Sequence, residues 1–439
     1  MKQGKQYING HWLAGKGCPF VSINPANNTV IWTGTYATAD EINAAFNSAQ
    51  IALSDWSTLP FSVRAQYITK FSQIVEARRA ELAQLISFEN GKPFWEAATE
   101  VSAVINKAFL SIQAHEERLA DKINVSMEGT NCLRYKPHGV VAVLGPFNFP
   151  AHLSNGHIIP ALLAGNSVVY KPSEQTPFVA EFMIQCWHDS GLPPGVINCI
   201  QGDASTAKQL LDCDIQGVYF TGSYSAGVQI NKRFSERPEV ILALEMGGNN
   251  PLVLDNVKNI QAAVYQTVLS SFLTAGQRCT CARRLIIPDT TVGEQFLAML
   301  VQVSSQLKVG PCTDIPEAFM GPVISNTHAL AHLSAQNALQ QAGGISLLTM
   351  QKSSEETSFL TPGIMDMTDA NPIPDEEIFA PFIQVYRYHD FEQALELANQ
   401  TRYGLSAGLL SDDPHKYQRF YQVVKAGLIN WNKPTTGAS

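Results

Sequence analysis

The run GVVAVL at residues 139–144 decides the fold through the alternation it begins: HLSNGHIIPALLAG (152–165), NSVVYK (166–171), FVAEFMIQCWHDSG (178–191), VINCI (196–200), GVYFTG (217–222), SAGVQINKRF (225–234) and VILAL (240–244). GVVAVL has no polar interruption, the signature of a strand covered on both faces. Apolar strands alternating with helical patterns predict a parallel sheet with helices on either side. Such sheets bind ligands at their carboxyl edge.

Several residues fall at that predicted edge. Gly222-Ser223-Tyr224-Ser225-Ala226-Gly227 is a small-residue turn opening a helix, suited to a dinucleotide pyrophosphate, although its spacing departs from G-x-G-x-x-G. A plain Gly-rich turn is the alternative. After NSVVYK, Lys171 and Glu174 bring a cation and an acid to a strand end, where they suit adenosine ribose hydroxyls; two solvated loop charges are the alternative. Further on, Glu245 in LEMGG and Cys279 in GQRC each stand beside small residues that let a substrate approach. A thiol next to the Arg278 charge suits a nucleophile, and Glu245 suits a base. Read alone, each has a structural alternative, a packing cysteine and a capping or salt-bridged glutamate.

Outward from this core, Asn9-Gly10 marks a hairpin within a β-rich opening at 7–36. Thr38 and Glu41 then form a capping-box pattern, and Ile42, Ala45, Phe46, Ala49 and Leu53 recur at helical spacing. Helices are expected to about residue 118, broken near Pro60, Asn90-Gly91 and Pro93, with Ala77–Glu81 as a solvated helix face. Residues 131–144 read as strand, turn and strand. Beyond Glu245 helix and strand alternate again to the end, so a second α/β domain is expected.

The chain has 439 residues, enough for two or three domains, with 45% hydrophobic and 15% charged residues. That sparse surface charge suits subunit contacts. Net charge is −8, from 38 acidic against 30 basic residues, and no dense basic block exists, which excludes nucleic acid as a partner. Eight scattered cysteines without Cys-x-x-Cys spacing argue against a metal site and for a reducing compartment. The N-terminus lacks an apolar signal core and no apolar run reaches the ~18 residues that span a bilayer, so a cytoplasmic protein with no membrane partner is expected.

Taken together, GPFNFP (145–150), KPSEQTP (171–177), FTGS (220–223), LEMGG (244–248), GQRC (276–279), EEIFAP (376–381) and YGLSAG (403–408) resemble, in order, the motifs of the NAD(P)-dependent aldehyde dehydrogenase superfamily. The resemblance runs nearly end to end. It implies an α/β fold with a Rossmann-type NAD-binding domain (1–122 and 143–245) and an α/β catalytic domain (246–426). It also implies a small β oligomerisation arm (123–142 and 427–439), left C-terminally incomplete in a chain ending at Ser439, where relatives continue through a Pro-Phe-Gly-Gly segment.

The resemblance implies roles as well. Cys279 is the nucleophile, Asn148 donates to the oxyanion, and Glu245 activates the water that cleaves a thioester. NAD is the cofactor, preferred over NADP because Glu174 repels a 2′-phosphate. Lys171, Glu174, Gly222, Ser223, Gly227, Glu377 and Phe379 bind it, while Ala380 stands where the family usually has glycine. The substrate is a small-molecule aldehyde and the assembly a homodimer or higher homo-oligomer. ENGKPFWEAATEV (89–101), AGQRCTCARR (275–284) and NWNKPTTGAS (430–439) resemble a branch serving arginine catabolism, whose semialdehyde substrate carries several carboxylates. Arg278 is then a candidate substrate contact, with structural pairing as its alternative and as the reading for Arg283 and Arg284. His152 and His157 are expected in packing or polar networks. Other readings are a dehydrogenase for another small semialdehyde, such as succinic semialdehyde, and a truncated relative that does not turn over.

Overall fold

Thr38 opens the first helix through the predicted capping box: its hydroxyl accepts from the Glu41 N–H at 3.4 Å, and the Glu41 carboxylate accepts from the Thr38 N–H at 2.8 Å. Two orphan donors are thereby satisfied. In chain order the computed structural model, which describes residues 2–437, contains β1 (Lys2–Gln3), β2 (Gln6–Ile8), β3 (His11–Leu13), β4 (Pro19–Ile23), β5 (Val30–Thr35), α1 (Ala39–Thr58), α2 (Phe61–Ala77), α3 (Arg79–Asn90), α4 (Phe94–Leu119), β6 (Lys122–Ser126), β7 (Gly129–Leu133), β8 (Val140–Leu144), α5 (His152–Leu163), β9 (Ser167–Lys171), α6 (Pro177–Asp189), β10 (Ile197–Cys199), α7 (Ala204–Leu210), β11 (Gly217–Gly222), α8 (Tyr224–Arg233) and β12 (Ile241–Met246). The chain continues with β13 (Asn250–Leu254), α9 (Ile260–Phe272), β14 (Ala282–Pro288), α10 (Thr291–Ser305), α11 (Asn326–Gln341), β15 (Ile345–Leu348), β16 (Gly363–Asp366), β17 (Phe382–Tyr388), α12 (Phe391–Asn399), β18 (Ser406–Leu410), α13 (Pro414–Val423) and β19 (Leu428–Trp431).

Two units result. The first takes the chain up to Asn24, Thr29–Asn90 and Phe94–Glu245. Its seven-stranded sheet has the order β12-β11-β8-β9-β10-β2-β3, in which β8, β9, β10 and β11 are parallel. The chain runs outward from β8 to β10, then crosses back through α7 to β11 on the other side of β8. That reversal places the topological switch point between the carboxyl ends of β8 and β11, where a doubly wound sheet opens a crevice. Asn9 and Gly10 both take positive φ, as a type I′ turn requires, and they pair Tyr7 with Trp12 in the β2–β3 hairpin. Helices cover the sheet over a core that includes Trp56, Ile68, Val141, Val143 and Val168. Phe71 of α2 and Trp187 of α6 stack there at 3.8 Å, each such side chain contributing about 1.5–3 kcal/mol by burial.

The second unit comprises Pro25–Asn28, Gly91–Pro93 and the chain from Met246 onward. Its sheet has the order β15-β16-β17-β14-β13-β18-β19, parallel except for the β15–β16 pair. Leu252–Leu254, Leu285–Ile287, Ile383 and Leu409 are all buried, as strands covered on both faces must be.

The structure refines these expectations and corrects some of them. The opening β layer is split: β2 and β3 extend the large sheet, whereas β1, β5 and β4 form a separate three-stranded one. Residues 131–133, read as the first strand of 131–144, belong to β7, which forms a hairpin with β6 whose residues are all exposed, as an arm requires. Leu428–Trp431, expected in the arm, pairs in parallel with β18, because its half-buried apolar residues complete that sheet's edge. Ala77, Ala80 and Glu81 are exposed, as expected of a solvated face, and the part-exposed Arg78, at the break between α2 and α3, lays its guanidinium 4.0 Å from the Phe182 ring centre.

Candidate functional site

In the second unit the motif segments converge on one edge of the sheet. LEMGG ends at the start of β13, GQRC at the start of β14, EEIFAP at the start of β17 and YGLSAG at the start of β18. These strands are mutually parallel, so the segments lie at their amino ends.

The approach to Cys279 is unusual backbone. After α9, Thr274, Ala275 and Gly276 have φ of 58°, 52° and 72°, three consecutive left-handed residues of which only glycine is at ease there. Such strain persists where surroundings hold it. The Thr274 carbonyl accepts from the Gln277 backbone N–H (3.0 Å) and side-chain amide (3.1 Å), and its hydroxyl accepts from Arg278 Nε at 2.8 Å. A side chain at Gly276 would collide with the Ala380 carbonyl oxygen. Cys279 is half-buried. Asn250, 2% exposed, donates from Nδ2 to the carbonyls of Cys279 (2.7 Å) and Cys281 (2.8 Å), while its Oδ1 accepts from Ser406 N–H at 3.0 Å. One amide of β13 thus ties the Cys279 loop to the start of β18.

Across the same edge lies Glu377. Burial pushes its carboxyl upward, while the Arg283 guanidinium at 3.5 Å and the Gly248 N–H pull it back. A side chain at Gly247 would meet the Glu377 carboxylate, which is why small residues are needed there. Phe379 lies beside Arg283, 5.4 Å from ring centre to guanidinium, and Ala380 is fully buried in the core. Arg278 donates to Thr274 Oγ1 and, at 3.0 Å, to the Thr436 carbonyl; these are bonds of the structural alternative. Arg284 donates to the carbonyls of Asn249, Leu397 and Ala398, and burial lowers its pKa.

In the first unit the sequence-chosen residues gather at the sheet's carboxyl edge. Asn148, 5% exposed, lies in the turn between β8 and α5. That turn is held by Asn90, which donates to the Phe147 carbonyl at 2.8 Å, and by the Glu100 carboxylate, which accepts from the N–H groups of Ala151 and His152. Lys171, at the end of β9, donates to the Pro172 (2.6 Å) and Gly202 (2.7 Å) carbonyls and lies 3.7 Å from Glu174. Burial lowers its pKa, and Glu174 and Asp203 oppose the shift. Gly222 ends β11, Ser223 caps α8 by accepting from Ala226 N–H at 3.3 Å, and Gly227 is buried in that helix. His157 Nε2 bonds Thr221 Oγ1 at 2.9 Å, with its pKa pushed down to about 4 by burial and Lys107, a polar-network histidine. Glu245 is exposed near the end of β12.

A sequence model of the Aldehyde dehydrogenase family matches residues 12–439. The chain belongs to the aldehyde dehydrogenase family. It is similar to the N-succinylglutamate 5-semialdehyde dehydrogenases of Legionella pneumophila strains Corby and Paris, at 59% identity in each case, covering 99% of this chain and 88% of theirs. Among solved structures, the methylmalonate-semialdehyde dehydrogenase of Oceanimonas doudoroffii matches with a TM-score of 0.93 at 26% identity, covering 100% of this chain and 91% of that one. The betaine aldehyde dehydrogenase of Staphylococcus aureus in complex with NAD+ matches with a TM-score of 0.92 at 26% identity, covering 98% and 87%.

Within this aldehyde dehydrogenase fold, Asn250 stands out as a residue that the motif reading passed over. Its signal lay in LEMGGNNP, as a polar residue opening an otherwise apolar strand. Arg283 was visible there only as a charge in β14. Among the described residues no group of three or more His, Cys, Asp or Glu could hold a metal ion, and no helix is long and apolar enough to cross a membrane. None of the eight cysteines is in a disulfide.

Proposed function

We propose that this aldehyde dehydrogenase uses NAD to oxidise N-succinyl-L-glutamate 5-semialdehyde to N-succinyl-L-glutamate in arginine catabolism. The observation carrying the substrate is the 59% identity to relatives of that name over 99% of the chain. The half-buried Cys279, with its carbonyl fixed by Asn250, supports a covalent route.

The donor set suits a dinucleotide. Lys171 and Glu174 pair a cation with an acid at one strand end, as vicinal ribose hydroxyls need, and α8, capped by Ser223, has no acid in its first turn, leaving its N–H end for a pyrophosphate. Gly222 and Gly227 keep that turn slim, and Glu377 with Phe379 would hold the nicotinamide riboside. Glu174 disfavours a 2′-phosphate, hence NAD rather than NADP.

The chain's own residues act in sequence. The Cys279 thiolate forms a C–S bond to the aldehyde carbon, and the carbonyl oxygen becomes an oxyanion to which the Asn148 amide donates. When bound, NAD supplies the hydride acceptor that turns this adduct into a thioester. Glu245 takes a proton from water as the water attacks the thioester carbon, and the thiolate leaves with the carboxylate product formed. Exposure near a strand end keeps Glu245 open to that water. Arg278, the candidate for a substrate carboxylate, is read instead as a structural residue, since its guanidinium is engaged by Thr274 and the Thr436 carbonyl. We further assign a homodimer or higher assembly, supported by the exposed Ile123 (56%), Val125 (79%) and Leu133 (51%) on a two-stranded hairpin too small to stand alone, and a cytoplasmic setting, supported by the unbridged thiols.

The test is NADH formation from a panel of semialdehydes ranked by kcat/KM. N-succinylglutamate 5-semialdehyde should lead and Cys279→Ala should abolish turnover. A panel led by another aldehyde, or full turnover in that variant, refutes the reading.

A further inference from the structure

Arg283 lies one residue inside β14 and is 1% exposed. A buried guanidinium is costly unless acceptors meet its protons. Here acceptors from two segments meet Nη1 and Nη2, while the buried Nε has no hydrogen-bond partner among the described residues. Nη2 donates to the carbonyls of Gly276 at 2.6 Å and Arg278 at 3.1 Å, in the left-handed approach to Cys279. The same nitrogen reaches the Glu377 carboxylate at 3.5 Å, and Nη1 donates to the Ala380 carbonyl at 3.2 Å. Phe379, between Glu377 and Ala380, faces the guanidinium with its ring. One planar fork therefore spans the nucleophile loop and the 377–380 loop, which lie about a hundred positions apart in sequence.

We propose that Arg283 is a positioning residue, a clamp that sets the spacing between Cys279 and the Glu377–Ala380 loop. The proposal rests on the reading of Glu377 as a cofactor-binding group. A lysine would keep the charge but not the fork, since its single ammonium cannot meet acceptors on both loops in one plane. The charged and titratable groups facing Arg283 are few. Cys281, just before the same strand, is held up as a thiol by burial. His332 of α11 is pushed down to about 4 by burial and by His328 and Arg283, so it stays neutral. Arg278 presents its carbonyl. Among the described residues Glu377 is the opposite charge that meets it, and burial already pushes its carboxyl upward against the pull of Arg283. Removing the guanidinium should raise it further and make cofactor affinity fall as pH falls.

The experiment compares the wild-type protein, R283K, R283Q, E377Q and R283Q/E377Q, with NADH affinity measured by fluorescence across pH and Cys279 alkylation by iodoacetamide measured without cofactor. Neither readout needs turnover. R283K is expected to weaken NADH binding at least tenfold and to change the alkylation rate at least fivefold. R283Q should add a loss of affinity toward acid pH that disappears in the double variant. NADH affinities and alkylation rates within twofold of wild type, with only the melting temperature lowered, would mark Arg283 as merely structural and overturn the proposal, as would a pH dependence that persists in R283Q/E377Q. Should the Arg283 variants not fold, E377Q carries the test, and unchanged NADH affinity overturns the clamp. A wild-type protein that binds no NADH sinks the cofactor reading itself, an outcome distinct from normal binding in wild type and variants alike.

Discussion

Replacing Asn250 by alanine should disable the protein more than its separation from Cys279 in sequence suggests. The side chain makes three hydrogen bonds, donating to the Cys279 and Cys281 carbonyls and accepting from Ser406 N–H, the first part-buried and the other two buried. Each bond contributes about 1 kcal/mol net, and the orphaned buried partners cost more than that if water does not reach them. The sum is about 3 kcal/mol, a large share of a total stability on the order of 5–15 kcal/mol. A drop of that size lowers the melting temperature by roughly 6–12 °C. Activity should suffer separately, because the Cys279 carbonyl loses its anchor, and a displacement of about 1 Å at a reacting atom can cost ~100-fold in rate. The assay pairs thermal denaturation with kcat and with the Cys279 alkylation rate, read at a temperature where the variant is fully folded. Asn250→Ala with an alkylation rate and kcat within about twofold of wild type would refute the reasoning, since the strand-to-strand tie would then be irrelevant to Cys279.

Gly276→Ala should be worse tolerated, because the added carbon meets the Ala380 carbonyl and the residue has φ of 72°; a cost of about 3 kcal/mol or more would show as a lowered denaturation midpoint or insoluble expression. Glu89, which accepts from the N–H groups of Phe178 and Val179, has its carboxyl pushed up by burial to about 8 from 4.5. Its folded pKa exceeds the unfolded one, so that stability is full below 4.5 and is lost as pH rises toward about 8; melting temperatures across that window should decline, and less steeply in Glu89→Gln. Glu174→Gln removes the acid beside Lys171, and the ratio of kcat/KM for NAD over NADP should fall by about tenfold at low salt; an unchanged ratio would show that Glu174 does not discriminate the 2′-phosphate.

The sequence by itself determined the elements and their class. Periodicity carries that information: GVVAVL and NSVVYK read as buried strands because nothing polar interrupts them, Thr38–Glu41 because a capping box needs only four residues, Asn9-Gly10 because type I′ dihedrals select those two residues. The order of short motifs carried the family. Tertiary structure alone decided which segments share an edge. Parallel pairing in the order β17-β14-β13-β18 is not chain order, and it gathers LEMGG, GQRC, EEIFAP and YGLSAG at the amino ends of their strands, whereas the sheet of the first unit presents its residues at carboxyl ends. Asn250 finds partners 29, 31 and 156 positions away, and Arg283 reaches 97 positions to Ala380. A local pattern cannot encode such partners, because a hydrogen bond depends on where two strands lie and not on the spacing within either. For the same reason Leu428–Trp431, an apolar strand by composition, took its place beside β18 only when that sheet's edge was there to receive it.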